Sequence, residues 1–404
     1  MKIVVLKFGG TSVGNIERIK NISKIIASYV KKKFKVIVVS SAMSGETNKL
    51  VKLSKKISKN FITSEYDAIV ATGEQVSCSL IAGRLKDMGY LSRSWLSWQI
   101  PIFTAGDHSN SRIININTKN IFKFLRKGGI PIIAGFQGIN SENRITTIGR
   151  GGSDSSAIMV AKFFKAEKCI IYTDVDGIYT TDPNVLAKAK KIKKISYEEI
   201  LEMTSLGAKV MQPHSIQDAR LNRIDIEVRS SFKNVSGSLI TKRKNISNIN
   251  IIRGVSFTKN DAKITLVGVK DKPGVAASIF EPLYKNSINV DMVVQNISSN
   301  KKETDLTFTI KNEDVIKTEK LIKKNNKIKY KEIIVDEKVS KVSIVGVGMI
   351  TTPGVTFRMF NALAKKNINI IVISTSEIKI SVLINRKNLK KAVTVLHKEF
   401  KLEN

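Results

Sequence analysis

The segment IVVLKFGGTSVGN, residues Ile3–Asn15, joins a run of β-branched residues to a polar, glycine-rich turn. The apolar run predicts a buried strand, and the glycines after it allow backbone N–H groups to approach an anion closely. A second segment of this kind, ITTIGRGGSDSSA, occupies Ile145–Ala157. Each segment also supplies a cation, Lys7 or Arg150. Together they predict a phosphate site and an acidic-substrate site that face each other.

Strands and helices are predicted to alternate over residues 1–240. Four further β-branched runs suit strands buried on both faces of a sheet: Val36–Ser40, Ile130–Phe136, Cys169–Thr173 and Ile224–Ser230. The helical stretches between them include Asn15–Tyr29, Asp67–Met88 and Asp154–Phe164. Such alternation favours a mostly parallel sheet between layers of helices. Ligands of these folds bind beyond the C-terminal ends of the strands, where both glycine-rich segments are expected.

The composition excludes several classes of protein. A chain of 404 residues, 42% of them hydrophobic, is long enough for two or three domains with their own cores. No apolar run approaches the ~18 residues of a membrane span, and the N-terminus has no signal-peptide core, so we expect a cytoplasmic protein with no membrane partner. Cys78 and Cys169 have no metal-ligand spacing and are expected to be buried thiols.

The net charge of +34 results from 68 Lys and Arg against 34 Asp and Glu. These cations are scattered along the chain, and aromatic residues make up only 6% of it. Nucleic-acid sites need clustered charge, and single-strand sites add stacking aromatics. We therefore expect no nucleic-acid partner, and we expect the positive field to attract anionic substrates.

The C-terminal part of the chain contains an internal repeat. After the polar stretch Asn234–Asn250, the copies begin at Lys263 and Lys341 as KITLVGVKDKPGVAASIF and KVSIVGVGMITTPGVTFRMF. Both predict a strand, a Pro-Gly-Val helix start, an amphipathic helix and a further strand. The first copy can complete a βαββαβ module, but the second lacks its last strand. We expect the spare strand Ile251–Thr258 to supply it, because the alternative is an open sheet edge. The predicted domains are 1–240, 263–338 (inserted), and 251–258 plus 341–404.

Eight motifs occur together along the chain, and their combination is far more specific than any one of them. They are KFGGTSVG, ATGEQVS, GFQG, GRGGSDSSA, YTDVDGIYTTDP, GAKVMQP, VDMVVQN and ISTSEIKISVL. In this order they resemble the aspartokinases, members of the amino-acid kinase family with two C-terminal ACT modules. The resemblance covers essentially the whole chain. It implies a three-layer α/β/α kinase domain with a mostly parallel sheet, followed by two ferredoxin-like (βαββαβ) ACT domains.

The resemblance also implies an activity: phosphorylation of the β-carboxylate of L-aspartate by ATP, giving 4-phospho-L-aspartate, the first step toward lysine, threonine and methionine. A carboxylate is already ionised at neutral pH and needs no general base. The enzyme must instead bring two anions into line and spread the developing charge. Lysines, backbone N–H groups and Mg²⁺ suit this task. The chain has only three histidines, none of them in a catalytic motif.

The resemblance assigns a role to each matching residue. Catalytic roles fall to Lys7, Asp154 and Lys209. Substrate binding falls to Thr47, Glu74, Arg150, Gly151, Gly152 and Ser153. ATP binding falls to Lys7, Phe8, Gly9, Gly10, Thr173, Asp174, Tyr179, Asp182 and Lys209. Mg²⁺ is expected to be held mainly through the ATP phosphates, so no protein metal ligand is predicted.

Some of these residues also have simpler interpretations. Asp154 can act only as a favourable charge at a helix N-terminus, and the hydroxyls of Thr11 and Ser12 can cap the next helix instead of contacting phosphate. Arg150 suits bidentate binding of the substrate α-carboxylate. Glu74 is expected to pair with the α-ammonium group, although it can also be an exposed helix carboxylate.

Nine residues of the repeats are predicted to bind an amino-acid effector, either lysine, threonine or both. They are Asp271, Gly274, Val275, Ala276, Asn289, Gln295, Asn369, Ile370 and Thr375. The ACT modules are also expected to join chains into a homo-oligomer. Two other functions stay open at this point: a kinase for glutamate or N-acetylglutamate, and a non-catalytic protein that senses amino acids through its ACT modules.

Overall fold

The structure, a computed structural model, describes residues 2–149, 151–206, 210–243, 246, 250–297, 303–325 and 328–403. Arg150 and Lys209, both predicted site residues, lie outside the described residues. The chain divides into two compact units. The first consists of Met1–Ile178, Lys191–Thr204 and Lys209–Asn248, and the second of Tyr179–Lys190, Ser205–Ala208 and Ile249–Asn404.

The chain as far as Thr241 forms short strands and eight described helices. The strands are β1 (Ile3–Phe8), β2 (Lys35–Ser40), β3 (Ser92–Trp95), β4 (Ile102–Ala105), β5 (Arg112–Ile116), β6 (Ile130–Ala134), β7 (Gln137–Ile139), β8 (Ile145–Thr147), β9 (Lys168–Thr173), β10 (Ile178–Tyr179), β11 (Lys191–Ile192), β12 (Lys194–Ser196), β13 (Ile226–Ser230) and β14 (Ser238–Thr241). The helices are α1 (Ile16–Lys31), α2 (Glu46–Ile57), α3 (Thr63–Val70), α4 (Thr72–Asp87), α5 (Lys119–Arg126), α6 (Gly152–Phe163), α7 (Tyr197–Ser205) and α8 (Pro213–Asn222).

The main sheet has the strand order β12-β14-β13-β9-β1-β2-β6-β3. Near its centre, β1 pairs in parallel with β2 and with β9. The pairs β2–β6, β3–β6 and β9–β13 are also parallel, whereas β13–β14 is antiparallel. A smaller sheet has the order β5-β4-β7-β8. The mostly parallel main sheet confirms the predicted fold class.

The two faces of β1 meet different helices. Val4, Leu6 and Phe8 belong to a buried core that also contains apolar residues of α1 and α4. Since alternate residues of a strand point to opposite faces, Lys7 points away from this core. Helix α6 packs against β1 as well. Alternation along β1 thus places Lys7 on the opposite face of the sheet, together with the buried Ile3 and Val5.

Two predicted elements end differently in the structure. The single helix expected at Asp67–Met88 is two helices, α3 and α4, which meet at Ala71. The Ala71 carbonyl also accepts a hydrogen bond from the Gln137 side chain at 2.9 Å, so the junction of the two helices is tied to β7. The strand expected to reach Phe136 ends at Ala134, because Phe136 has a φ of 67°, which no strand residue adopts.

The second unit is built on one antiparallel sheet with the order β16-β17-β15-β18-β20-β19. Its strands are β15 (Gly254–Lys270), β16 (Val293–Ile297), β17 (Glu303–Lys311), β18 (Glu332–Val345), β19 (Ile370–Ser376) and β20 (Lys379–Asn385). Its helices are α9 (Val275–Lys285), α10 (Val315–Lys324), α11 (Val355–Ala364) and α12 (Leu389–Glu399). The two copies of the repeat have separate cores, one containing Ile264 and Phe308 and the other Val342 and Leu396.

The long strands β15 and β18 run through both copies of the repeat. Residues Gly254–Thr258 of β15 pair with Lys341–Val345 of β18, which begin the second copy. Farther along β15, Lys263–Val267 pair with Glu332–Asp336, which end the first copy. The strand predicted as spare therefore lies beside the first strand of the second copy. The domain boundaries given above remain a proposal, which this pairing supports.

The segment Tyr179–Lys190 belongs to the second unit although it follows β9 in the chain. The carbonyl of Thr180 accepts a hydrogen bond from the backbone N–H of Val255 at 2.7 Å. The hydroxyl of Thr180 lies 2.8 Å from Nε2 of the buried His397 on α12. Val185 packs against the core of the second copy of the repeat. Across both units, no described helix combines the length and the apolar character needed to cross a bilayer.

Candidate active site

A cleft of about 1040 Å³ lies in the first unit, where β1, β2, β8 and β9 end. Residues from several of the sequence motifs line this cleft. The predicted residues that line it are Lys7, Gly9, Gly10, Thr47, Glu74, Gly151, Gly152, Ser153, Asp154, Thr173 and Asp174. The structure therefore brings together residues from four separate motifs.

Lys7 and Asp154 form an ion pair inside this cleft. Lys7 Nζ lies 2.6 Å from Asp154 Oδ1, and each residue is only 8% exposed. Lys7 is the next-to-last residue of β1, and Asp154 lies in the first turn of α6. Asp154 therefore makes a direct ion pair, which goes beyond a favourable charge at the helix N-terminus. A carboxylate placed this way restricts the ammonium group to one position, so the pair can present a fixed cation to an anionic ligand.

The turn after β1 is built on Gly9 and Gly10. Gly9 donates its N–H to the Tyr172 carbonyl at 3.1 Å, and residues 10–13 form a single 3-10 turn. A Cβ on Gly10 would lie 3.0 Å from the Ala42 carbonyl oxygen, so a larger residue would crowd the neighbouring loop. Backbone is therefore exposed to the cleft where a side chain would otherwise cover it.

Ser12 has a structural part in this turn. Its hydroxyl lies 3.3 Å from the Tyr172 carbonyl oxygen and accepts a hydrogen bond from the Ser231 hydroxyl at 2.8 Å. The residue is 1% exposed. Thr11, in contrast, lines the cleft. Of these two residues, Thr11 lines the cleft, whereas Ser12 is buried in the turn.

Glu74 is buried at the start of α4, with 3% of its surface exposed. Its Oε1 accepts a hydrogen bond from the backbone N–H of Ala42 at 3.0 Å, whereas Oε2 has no hydrogen-bond partner among the described residues. Burial raises the pKa of Glu74 to about 7, although the Ala42 N–H, the residue's own backbone and Lys7 oppose the shift. The exposed helix carboxylate considered from the sequence is wrong. A buried carboxylate with one unused oxygen suits a cationic ligand group.

The glycines before Asp154 are required by space. Gly151 has a φ of 74°, and a Cβ there would lie 2.5 Å from Cγ of Gln212. A Cβ on Gly152 would lie 2.8 Å from Cδ2 of Phe136. These contacts are shorter than packed atoms allow, so the turn accepts only glycine. Ser153, which is 8% exposed, completes the first turn of a helix whose N-terminus favours an anion.

Several predicted residues lie elsewhere. Phe8 is fully buried and stacks on Tyr172, with ring centroids 5.0 Å apart, so its side chain serves the core and not the cleft. Tyr179 and Asp182 belong to the second unit. Arg150 and Lys209 lie outside the described residues, so their predicted roles stay predictions.

The predicted effector residues lie in the second unit. Gly274 is the N-cap of α9 with a φ of 88°, and Gly354 is the N-cap of α11 in the second copy with a φ of 85°. Gln295 and Thr375 are exposed on β16 and β19, the two edge strands of the sheet. Val275 and Ala276 open α9, and Ile370 opens β19. Asp271, Asn289 and Asn369 are exposed in the loops before these elements.

Two carboxylates of the cleft fit a magnesium ion that arrives with a nucleotide. Among the described residues, no group of three His, Cys, Asp or Glu side chains is arranged to hold a metal. Magnesium bound to phosphates usually needs only one or two carboxylates from the protein. Asp154 and Asp174 both line the cleft, so the residues present fit this mode of binding.

Four residues that shape the cleft are not among the predicted site residues. Ala42 supplies the backbone N–H for Glu74, and Phe136 packs against the turn at Gly152. Ala42 follows the predicted strand Val36–Ser40 and Phe136 ends the predicted strand Ile130–Phe136, so their location at strand ends was a usable signal. Thr147 and Ser109 also line the cleft and are held by Asp67. No motif points to this carboxylate.

Comparisons with known proteins agree with this fold. The model of the amino acid kinase family matches residues 2–230, and an ACT domain model matches residues 264–325 and 342–400. An aspartate kinase of Pseudomonas putida is 44% identical over 405 residues, which cover 100% of this chain and 98% of the relative.

Two crystal structures of E. coli aspartokinase III are also similar over nearly the whole chain. The complex with lysine and aspartate (T-state) has a TM-score of 0.83, and the complex with aspartate and ADP (R-state) has a TM-score of 0.78. Each is 25% identical and covers 98% of this chain and 99% of that one. Fold and cleft thus define an amino acid kinase that carries paired ACT domains. Within that class, the chain belongs to the aspartokinases.

Proposed function

We propose that this chain transfers the γ-phosphoryl group of ATP to the β-carboxylate of L-aspartate, giving 4-phospho-L-aspartate, and that its ACT domains regulate the reaction. The observation that carries the proposal is the joint presence of the Lys7–Asp154 pair and the buried Glu74 in one cleft. A fixed cation suits phosphoryl transfer, and a buried carboxylate suits an amino-acid substrate. The high identity to named aspartate kinases over the whole chain adds support.

The transfer itself requires no proton movement. A β-carboxylate oxygen of aspartate forms a bond to the γ-phosphorus, the bond to the β,γ-bridging oxygen breaks, and ADP leaves with that electron pair. Negative charge shifts toward the leaving group as this happens. We assign Lys7 to stabilise this charge and Asp154 to hold the Lys7 ammonium group in place. Backbone N–H groups at Gly9 and Gly10 are assigned to the phosphates.

The substrate backbone is assigned to the opposite part of the cleft. Glu74, through its unused Oε2, would bind the α-ammonium group of aspartate. Arg150 and the first turn of α6 with Ser153 would bind the α-carboxylate. Thr47, which lines the cleft from α2, would hydrogen-bond the substrate. This arrangement leaves the β-carboxylate free to face the phosphate.

The nucleotide is assigned to residues after β1 and β9. Thr173 and Asp174 line the cleft there, and the resemblance adds Tyr179, Asp182 and Lys209. Asp154 and Asp174 are the carboxylates that would lie nearest a magnesium ion held by the phosphates. Such an ion neutralises phosphate charge and makes the γ-phosphorus easier to attack.

Regulation is assigned to the second unit, with lysine, threonine or both as the effector. Supporting observations are the ACT domain matches and the paired αL glycines at the starts of α9 and α11. Among the described residues, the edge strands β16 and β19 each have a neighbouring strand on one side only, and such edges favour pairing with another chain. A homo-oligomer formed through the ACT domains is therefore part of the proposal. A cytoplasmic location stays a prediction from the sequence.

An ATP-dependent hydroxamate assay tests the proposal. Hydroxylamine traps acyl phosphates, so the purified protein is incubated with ATP, Mg²⁺ and either aspartate, glutamate or N-acetylglutamate. We expect product with aspartate and little with the other two. A preference for glutamate or N-acetylglutamate would show a different kinase, and no product with any of the three would leave a non-catalytic sensor.

A further inference from the structure

Asp67 is a fully buried carboxylate of α3 whose hydrogen bonds all come from the wall of the cleft. Its Oδ2 accepts from the backbone N–H groups of Ser109 at 2.8 Å and Thr147 at 3.0 Å. Its Oδ1 accepts from the hydroxyls of Ser109 at 2.8 Å and Thr147 at 2.6 Å. Nδ1 of His108 lies 2.9 Å from Oδ2 and donates a fifth bond. One side chain thus joins three parts of the first unit.

Thr147 is the residue through which Asp67 reaches the substrate turn. Its N–H and its hydroxyl both donate to Asp67, and its carbonyl accepts from the Ser111 N–H at 3.0 Å. Thr147 ends β8, and the chain continues directly to Gly149, whose carbonyl accepts from the N–H of Gly152 at 3.1 Å. With all three of its polar groups bonded, Thr147 fixes the point from which this turn departs.

The loop that donates to Asp67 also packs on the turn. A Cβ on Gly149 would lie 3.3 Å from Oδ1 of Asn110 and 3.4 Å from the carbonyl oxygen of Ser109. Ser109, Thr147 and Gly149 all line the cleft. The hydrogen bonds of Asp67 therefore shape a surface that a ligand meets.

The backbone of the same helix leads to Glu74. The Asp67 carbonyl accepts from the N–H of Ala71 at 3.1 Å, and Ala71 is the junction from which α4 begins. Glu74 lies in the first turn of α4. Asp67 is thus connected through its backbone to the carboxylate assigned to the α-ammonium group. Through its side chain it is connected to the turn assigned to the α-carboxylate.

We propose that Asp67 is a positioning residue that sets the spacing between Glu74 and the described residues of the substrate turn, Gly149 and 151–153, and so fixes the receptor for the α-ammonium and α-carboxylate groups of the substrate. The inference rests on the proposed function, because it takes the assignment of those two groups from there. It explains why a carboxylate with five donors is buried beside the cleft, where a hydrophobic residue could fill the same space. Carboxylates hold several N–H and O–H donors at once, which no apolar residue does.

Steady-state kinetics of Asp67→Asn test the role. The amide keeps the shape of the side chain but replaces one acceptor oxygen with an NH₂ donor. This donor would face the N–H or O–H donors of Ser109 and Thr147, so hydrogen bonds are lost. We expect KM for aspartate to rise about tenfold or more, as for loss of charged hydrogen bonds. KM for ATP should stay within about twofold, because β1 and β9 are untouched. Glu199→Gln is the matched control, since Glu199 is also a buried acid of the first unit, 1% exposed, and does not line the cleft.

A second pair of variants keeps the test valid if Asp67→Asn does not fold. Thr147→Val removes the hydroxyl donor at nearly constant shape, and Thr147→Ser restores it. Thr147→Val should raise KM for aspartate, and Thr147→Ser should stay within about threefold of the wild type. Thermal unfolding of every variant is measured alongside, and Glu199→Gln should lower the unfolding temperature without changing KM for aspartate.

The outcomes separate this inference from the proposed function. If the wild type does not phosphorylate aspartate, the proposed function fails. If the wild type does so and the Asp67 and Thr147 variants keep its KM for aspartate, only the positioning role is overturned. Equal rises in KM for aspartate and ATP would also overturn it, since they would indicate general loss of structure.

Discussion

Lys7 combines two properties that seldom occur together in a lysine. It is 8% exposed, and its charge is matched by Asp154 at 2.6 Å, so the ammonium group is held rigidly and little of it is hydrated. Alternation along β1 places it on the face opposite Phe8, which explains why one residue of the motif serves the core and its neighbour the cleft. The catalytic role assigned to Lys7 thus follows from its place on the buried strand β1.

Replacing Lys7 with alanine should lower kcat far more than it raises KM for aspartate. The ammonium group is assigned to charge that develops during transfer, so its loss should cost about 10²-fold or more in kcat. Steady-state assays with both substrates measure this. Lys24→Ala, at an exposed position on α1, is the control and should leave kcat unchanged. A Lys7→Ala enzyme within threefold of the wild type in kcat would remove the assignment.

The raised pKa of Glu74 predicts a specific pH dependence. Burial raises this pKa to about 7, so the carboxyl group takes up a proton as the pH falls through that value. Only the ionised form binds an ammonium group well. The kcat/KM for aspartate should therefore fall about tenfold per pH unit below pH 7, since kcat/KM reports the free enzyme.

Two controls isolate this titration. Glu74→Gln should lower kcat/KM for aspartate and abolish its dependence on pH near 7. The kcat/KM for ATP, measured at saturating aspartate over the same range, shows any titration of the nucleotide. A wild-type profile for aspartate that is flat between pH 5.5 and 8 would contradict the assigned role of Glu74.

Among the elements, α6 and α4 show how glycine can be essential in one helix and dispensable in another. At the start of α6, Gly152 packs against Phe136, whose own φ of 67° is uncommon for an aromatic residue. In the middle of α4, Gly83 is exposed, and a Cβ there would meet nothing beyond its own helix backbone within 4 Å. The same residue type thus has a packing role in the first helix and none in the second.

Alanine substitutions should show this difference directly. Gly152→Ala should destabilise the protein by about 1–3 kcal/mol, as overpacking does, and should raise KM for aspartate. Gly83→Ala should stabilise it by about 0.5–1 kcal/mol, because alanine favours the helix. Chemical denaturation gives both values. If Gly152→Ala proved as harmless as Gly83→Ala, the close packing of the substrate turn would be disproved.

At the level of the whole chain, regulation depends on the second unit. Its two repeats share the long strands β15 and β18, so a change at one repeat can be transmitted along a continuous strand to the other. Coupling between an effector site and a catalytic site is reciprocal for binding and typically amounts to about 1–3 kcal/mol. The kinase activity should therefore respond to an amino acid that the second unit binds.

Lysine, threonine or both together are expected to inhibit the wild type at millimolar concentration. Gln295→Ala should weaken that inhibition while leaving kcat and both KM values unchanged, because Gln295 lies on β16 in the second unit. Asn296→Ala is the matched control, since adjacent residues of a strand point to opposite faces. Activity is assayed with each effector on all three proteins. Failure of every effector to inhibit the wild type would make the ACT pair structural or specific for another ligand.

Much of this molecule follows from local pattern. Buried strands and amphipathic helices depend on residues that are near one another in the chain, so the parallel sheet, α1, α6 and the repeat were predictable. The same holds for Lys7, Gly9 and Gly151, whose motifs encode a turn and a charge within a few residues. Boundaries were less predictable: α3 and α4 meet at Ala71, whose carbonyl accepts a hydrogen bond from the Gln137 side chain, which is far away in sequence.

The roles of Glu74 and Asp67 could not be predicted from the sequence, because they depend on contacts between distant segments. Glu74 reads as an ordinary helix carboxylate until folding buries it against Ala42 and thereby raises its pKa. Asp67 has no motif, and its five hydrogen bonds come from residues more than forty positions away along the chain. Local propensities fix strands, helices and turns, whereas desolvation and hydrogen bonding between distant segments arise only when the chain is folded, and those forces determine which polar residues shape the cleft.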